Sequence, residues 1–438
     1  MNIIIEKKSV LFCVLFFILM AGYALLRELR DSVFIHLVGL TYLPKVKILS
    51  LCFLFFELLC YQKAIDYFKP KNTFIFFSSI YGAMLFFFSL LFFFIPSQIP
   101  SLFGYVFYVS LEGYSPFIWC LLWAIFTTEN SSDTVKNNYM QVSLWAQIGG
   151  FLFSFLFYYL IKKNIFNSLN FLFGSIMCIS SILLIISTIA MYYLQQKINA
   201  SSNQVNLIDK KVTEMQENYK NQNIFYIWYY SFKKVISSFY VTGIFLIIFC
   251  WELINITLNY FRLDVLLEKT TSSGVYLLQD LYYSISLTYF LGIFIVLLGS
   301  SVLVRHYGVK KTLIAFPILL SICILPFIIS GNKEFLVIMY MIIKALYPAL
   351  IFPIKESLYL VTSPEIRYKS KSWIDGLGSR FSKTAAAFYI QISLLLTVEK
   401  RYLLNISFFI VILLLFLFIT HYVAAIWENK VKNNEMIE

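Results

Sequence analysis

Ser9-Val-Leu-Phe-Cys13-Val-Leu-Phe-Phe-Ile-Leu-Met20-Ala-Gly-Tyr-Ala-Leu-Leu26 runs without a charged residue, and the chain then turns polar at Arg27-Glu28-Leu-Arg30-Asp31. An α-helix needs about 20 predominantly apolar residues to cross a hydrocarbon core of about 30 Å. In lipid the backbone must satisfy its own hydrogen bonds, so such a run crosses only as a helix. Similar runs recur down the chain, without the period-2 alternation of a barrel strand. Composition agrees: 60% of the 438 residues are hydrophobic, 19% aromatic and 13% charged. A soluble domain is about a quarter charged, so this chain has too little charge to coat a globule. Lys7 and Lys8 before an apolar stretch resemble a signal peptide. No small-residue cleavage site follows, and the segment reads as a first spanning helix that stays in place.

The pattern predicts helices over roughly 9–35, 46–62, 73–95, 102–127, 139–161 and 169–194, then 235–258, 276–304, 312–330, 335–361, 378–398 and 402–426. Between the two sets lies a polar interval with Lys197, Lys210, Lys211 and Lys220. The expected organisation is an N-terminal six-helix half (1–194), a cytoplasmic linker (195–234) and a C-terminal half (235–438). With the N-terminus inside, inner segments carry roughly twice as many Lys and Arg as outer ones, as the positive-inside rule asks. Both termini are thus expected on the cytoplasmic side of the cell (inner) membrane. The same rule accounts for the net charge of +12 without invoking nucleic acid.

The halves look related. Asp66-Tyr-Phe-Lys69-Pro-Lys71-Asn-Thr73 and Arg305-His-Tyr-Gly308-Val-Lys310-Lys311-Thr312 both follow the second helix of their half. A parallel repeat of six plus six with a long middle connection is the layout of the major facilitator architecture. The expected fold is therefore an all-α integral membrane protein with twelve transmembrane helices in two six-helix halves. Cys13, Cys52, Cys60, Cys120, Cys178, Cys250 and Cys323 all fall in apolar runs without a CxxC pair, and the three His are scattered. Neither disulfides nor a metal site is expected. The chain is expected to act as a monomer without a cofactor.

Charged residues inside spans are costly and usually face a cavity or each other. Arg27, Arg30 and Asp31 share one face of the first helix. Two guanidinium groups on one stripe suit an anion, because each forks onto phosphate or carboxylate oxygens. A second reading makes the stripe the outer helix end, its cations snorkelling to water. Glu112 lies in the fourth helix beside Gly113 and Pro116, with Trp119 and Trp123 one turn apart beyond it. Glu252 and Asn255 stand one turn apart in the seventh helix, and Glu57, Asp280 and Lys344 also interrupt apolar runs.

The densest polar constellation runs from Lys355-Glu356 through Thr362-Ser363-Pro-Glu365-Ile-Arg367-Tyr-Lys369-Ser-Lys371 to Ile374-Asp375 and Arg380-Phe-Ser382-Lys383. Asp375, Ser379 and Lys383 recur every four residues, a helical stripe of opposite charges. No GxxxxGK[ST], strand-linked GxGxxG or HExxH is present, so any nucleotide would be held by side chains rather than a phosphate loop.

The 355–384 stretch resembles the signature of the ATP/ADP translocases, nucleotide transporters of intracellular bacteria, plastids and microsporidia. The family's Lys-Glu, its Thr-Ser-x-x-(Ile/Val)-(Lys/Arg)-(Tyr/Phe)-Lys-x-Lys run, its Ile-Asp and its Arg-x-x-Lys are matched by Lys355-Glu356, Thr362 to Lys371, Ile374-Asp375 and Arg380 to Lys383. Leu26 to Asp31 resembles the end of its first helix, and Glu112, Trp123 and Glu129-Asn130 resemble its fourth. The resemblance implies a twelve-helix carrier, not an enzyme, that exchanges ATP for ADP or imports nucleotides with protons. It implies phosphate binding by Arg27, Arg30, Arg380 and Lys383. It implies Glu112 as a charge-balancing acid; from their own chemistry and place, Asp31, Glu252 and Asp375 are read as further charge-balancing groups, and Asn255, Lys344, Lys355 and Glu356 as candidates to line a cavity. This chain departs from the family at Arg30, usually Lys. It departs again at Ile254-Asn255-Ile256-Thr257-Leu258-Asn259, where the family has Val-Glu-x-Val-Trp-Lys. A carrier of another organic anion and a non-transporting receptor or scaffold are the alternatives.

Overall fold

A computed structural model describes residues 2–68, 70–94, 100–129, 132–166, 168–201, 238–269, 274–297, 300–330, 333–348, 354–355, 358–362, 374 and 378–433. Among these residues the chain forms twelve α-helices and no β-strand. In chain order they are α1 (Asn2–Leu37), α2 (Leu43–Tyr67), α3 (Pro70–Phe94), α4 (Ser101–Glu129), α5 (Ser132–Lys162) and α6 (Leu169–Ser201), then α7 (Phe239–Lys269), α8 (Gly274–Leu297), α9 (Ser300–Ser330), α10 (Lys333–Leu346), α11 (Ser379–Leu394) and α12 (Val398–Lys432). Each expected helix has its counterpart. Nine of them, all but α2, α10 and α11, are long and apolar enough to cross a membrane.

Three boundaries differ from expectation for physical reasons. The helix expected to end near residue 258 continues to Lys269. No Gly or Pro lies between Asn255 and Lys269 to stop it, and Arg262, which the earlier ending would place in a loop, is fully buried within it. The basic segment before the ninth helix is itself helical from Ser300, and the break falls at Gly308, with φ 77° and ψ 163°. That backbone conformation is readily accessible only to glycine. The expected tenth helix, 335–361, is an α-helix over Lys333–Leu346, and Tyr359–Val361 is a 3₁₀ turn.

The chain packs as two compact units. The first comprises Met1–Val46, Cys52–Gln222 and Thr270–Ile293, hence α1 and α3 to α6 with most of α2 and of α8. Within it α1 lies against α5, α6 and α4, while α3 lies against α6 and α4. Its core interleaves Phe12, Phe16 and Leu19 with Phe88, Phe92, Phe107, Phe157 and Phe173, and α8 adds Leu278, Tyr282, Ile285 and Tyr289. The Tyr282 hydroxyl donates to the Leu25 carbonyl at 3.0 Å, so α8 is pinned to α1 by polar as well as apolar contact. A Cβ on Gly149 would run into the Phe17 carbonyl oxygen, which is why α5 can approach the α1 backbone so closely.

The second unit comprises Lys47–Leu51, Asn223–Lys269 and Phe294–Glu438. Here α7 lies against α11, α12 and α10, and α9 lies against α12 and α10. Adding six to each helix number of the first unit's pairs reproduces these pairs. The packing therefore repeats with the same offset as the loop motifs. α7 is the hub of its unit, buried along nearly its whole length from Tyr240 to Leu266.

Candidate functional site

In the first unit α1 and α4 bring together the charges that the sequence singled out. The Arg30 guanidinium donates from Nη1 to Glu112 Oε2, from Nη2 to Asp31 Oδ1 at 3.0 Å and from Nε to the same oxygen at 3.1 Å. Its Cζ lies over the Tyr108 ring, 4.5 Å from the centre. Tyr108 and Glu112 are one turn apart on α4, so a single helix face supplies both the ring and the acid. The Arg30, Asp31 and Glu112 side chains are 16%, 2% and 7% exposed. Snorkelling is thus not how Arg30 is accommodated, since α1 runs on past it to Leu37 and buries Val33 and Phe34. Arg27 Nε lies 3.9 Å from the buried Glu28 carboxylate. On α4, a Cβ at Gly113 would collide with the Glu57 carboxylate from α2, so glycine there admits another acid beside Glu112. The chemistry of this cluster is that of a cation already forked onto carboxylates. An anion reaching Arg30 would have to displace one of them.

In the second unit the polar groups gather where α7 faces α10. Asn255 donates to Glu252 Oε2 at 3.1 Å, and Lys344 Nζ donates to Asn255 Oδ1 at 3.4 Å. One turn further, Asn259 is buried, and at the next turn the Arg262 guanidinium lies 4.6 Å from the centre of the Tyr340 ring. Trp251 stacks on Tyr347 at 4.2 Å with an interplanar angle of 7°. Thus Glu252, Asn255 and Lys344 do converge. Arg262 and Tyr340 belong with them but escaped the sequence reading. The signal was present: Asn255, Asn259 and Arg262 follow helical i, i+4, i+7 spacing, and it was hidden by ending the helix at 258.

Lys355 and Arg380, both from the transporter-like signature, are buried in this unit, and Lys383 is half-buried three residues along α11 from Arg380. Ser382 and Thr384 donate to the carbonyls of Gly378 and Arg380 at 2.8 and 3.0 Å, so these hydroxyls serve their own helix. Glu356 and Asp375 lie outside the described residues. Trp123 packs edge-on to Phe16 at 4.5 Å and Trp119 lies 5.7 Å from the same ring, which makes both part of the α1–α4 packing.

No protein-family model and no curated protein matches the chain. Solved structures do match it over its length. A bacterial homologue of the iron transporter ferroportin in its inward-facing state superposes with a TM-score of 0.60 at 10% identity, covering 96% of this chain and 99% of that one. The xylose transporter XylE from E. coli, inward open, gives 0.60 at 10% identity over 97% and 95%. The nucleoside transporter NupG gives 0.51 at 15% identity over 96% and 99%. At such identities the likeness is one of fold. The chain has the twelve-helix fold of the major facilitator transporters, and it is a multi-pass membrane protein.

Proposed function

We propose that the protein is a carrier that moves nucleotides across the membrane by alternating access, with ATP/ADP exchange as its leading form. The observation that carries the transporter reading is charge sequestered within the helix packing: half-buried Arg30 on buried Asp31 and Glu112 of α1 and α4, and buried Arg262 of α7 beside half-buried Lys344 of α10. Insertion scales charge about 2.5–3.5 kcal/mol for one such residue at a helix centre. A receptor or scaffold has no need of several. The nucleotide part rests on the 355–384 signature, whose Lys355 and Arg380 are buried in the second unit.

A second reading, a proton-coupled carrier of nucleotides or another organic anion, is favoured by the two carboxylates on Arg30. A proton arriving on one of them would loosen the guanidinium for an incoming anion. Uptake of labelled ADP and ATP by proteoliposomes separates the readings. Exchange demands internal nucleotide, whereas symport follows an imposed pH gradient without it. Unlabelled ADP and ATP should compete well, AMP less and adenosine poorly, since only phosphate charge engages cations. Adenosine competing as strongly as ADP would remove the phosphate-reading site. Transport of another organic anion with no nucleotide uptake would favour the second reading's broader form.

A further inference from the structure

Asn255, Arg262 and Lys269 stand seven residues apart on α7, so they form one stripe. Each meets α10. Lys344 Nζ is 3.4 Å from Asn255 Oδ1, Arg262 lies over Tyr340 at 4.6 Å, and Lys269 Nζ is 2.8 Å from Glu334 Oε1. The partners run backwards along α10, as antiparallel helices require. Toward α11, by contrast, α7 presents Leu253 and Ile256 against Ala386. The seam facing α10 therefore differs from that contact: besides the Trp251–Tyr347 ring stack, it is closed by a hydrogen bond, a cation–π contact and an ion pair. Water can take over such contacts when two helices part, which it cannot do for an interdigitated apolar seam.

The groups in the seam also have a chemistry. Two of its buried or half-buried members are cations, Arg262 and Lys344, and its acid Glu252 accepts from Asn255. A guanidinium stacked on a ring keeps its N–H fork in its own plane, the edge that reads phosphate and carboxylate oxygens. Tyr340 and Lys344 are four residues apart on α10, so the second cation rises from the same face as the ring.

We infer that the α7–α10 seam is an anion subsite, in which Arg262 and Lys344 receive an anionic oxygen group of the cargo once α10 moves off α7. Tyr340 and Asn255 hold the two cations in register while the seam is closed. The inference rests on the carrier reading and adds a cationic pair to it, remote in sequence from Arg27 and Arg30.

The test uses a bare anion, so that it does not depend on which cargo is carried. Purified full-length protein in detergent is titrated with sodium tripolyphosphate, against sodium sulfate at equal ionic strength, and thermal unfolding is followed. Tripolyphosphate should raise the Tm of the wild type. The half-maximal concentration should rise at least about ten-fold in Arg262→Gln and in Lys344→Gln, the size expected when one charge-assisted contact is lost, with Arg262→Lys in between. A purely structural role would lower Tm in the variants and leave the half-maximal concentration alone, which would overturn the inference. So would a wild type that tripolyphosphate does not stabilise beyond sulfate. Should Arg262→Gln fail to fold, Arg262→Lys and Lys344→Gln carry the comparison. The nucleotide uptake panel decides the other question independently. Tripolyphosphate binding through these two residues without nucleotide uptake retains the subsite and removes the cargo. Nucleotide uptake with unchanged KM in both Gln variants retains the cargo and removes the subsite.

Discussion

Arg30 shows how much a single buried charge depends on its neighbours. Removing one partner of a buried pair strands the other, at about 3–5 kcal/mol. Arg30 is 16% exposed, so Arg30→Gln belongs at the lower end, about 3 kcal/mol, leaving Asp31 and Glu112 facing each other without their cation. Glu112→Gln should destabilise less, because Asp31 still accepts from two nitrogens of Arg30. The double variant should be more stable than the sum of the single losses implies, as coupling between contacting residues requires. Chemical unfolding of the four proteins in detergent measures the cycle, and strict additivity would contradict the pairing. Arg30→Lys keeps the charge but cannot fork onto two carboxylates, so it should restore only part of the loss. In the sequence, Arg30, Asp31 and Glu112 could be named, but their mutual pairing could not. The ring that Arg30 covers, Tyr108, is one of many tyrosines, and nothing in its local sequence distinguishes it.

At the scale of elements, close approach and helix breaks decide which substitutions are tolerated. Gly149→Val would push α5 away from the Phe17 carbonyl on α1. Backbone cannot yield as a side-chain tip can, and overpacking typically costs about 1–3 kcal/mol, which a lowered Tm should register. Gly113→Ala should be milder, since the Glu57 carboxylate it meets is the end of a flexible side chain. At Gly308 a Cβ would find open space, yet φ of 77° disfavours any L side chain. Gly308→Ala should therefore destabilise by about 1 kcal/mol through backbone strain alone, and a neutral result would show that the break in α9 is not needed for stability. These elements were legible because apolar runs and Gly or Pro breaks are local properties. The expected end of the seventh helix near 258 falls short because Asn259 and Arg262, just beyond it, look like loop residues when taken singly. The contact of Arg262 with Tyr340 on α10 is an influence that no window along α7 contains.

For the whole molecule, the observed helix pairs repeat with the six-helix offset of the loop motifs, and the orientation in the membrane is testable. If both termini are cytoplasmic, a single Cys introduced between 195 and 234 should react with an impermeant thiol reagent only when the cytoplasmic face is open to it. Labelling from outside the cell would reverse the orientation. On the proposed carrier reading the purified protein should not hydrolyse ATP, because its sequence holds no phosphate loop and carriers of this fold cycle by rocking their halves. Hydrolysis that co-purifies with the chain and disappears on its denaturation would contradict this.

By itself the sequence determined that this chain crosses a membrane many times as helices, and it predicts that those helices fall into two sets of six. Both follow from apolar run length and from the spacing of basic loops. It also marked the buried charges as exceptional, because any charge in an apolar run is. Tertiary structure alone decided which charge meets which. It turned Arg30 inward onto Asp31 and Glu112, placed α8 in the packing of the first unit, and set Arg262 over Tyr340 across an α7–α10 seam. The physical reason is range. Hydrophobic length and turn chemistry act within a few residues of the chain, whereas a buried ion pair or ring stack joins helices tens of residues apart and exists only once they have packed.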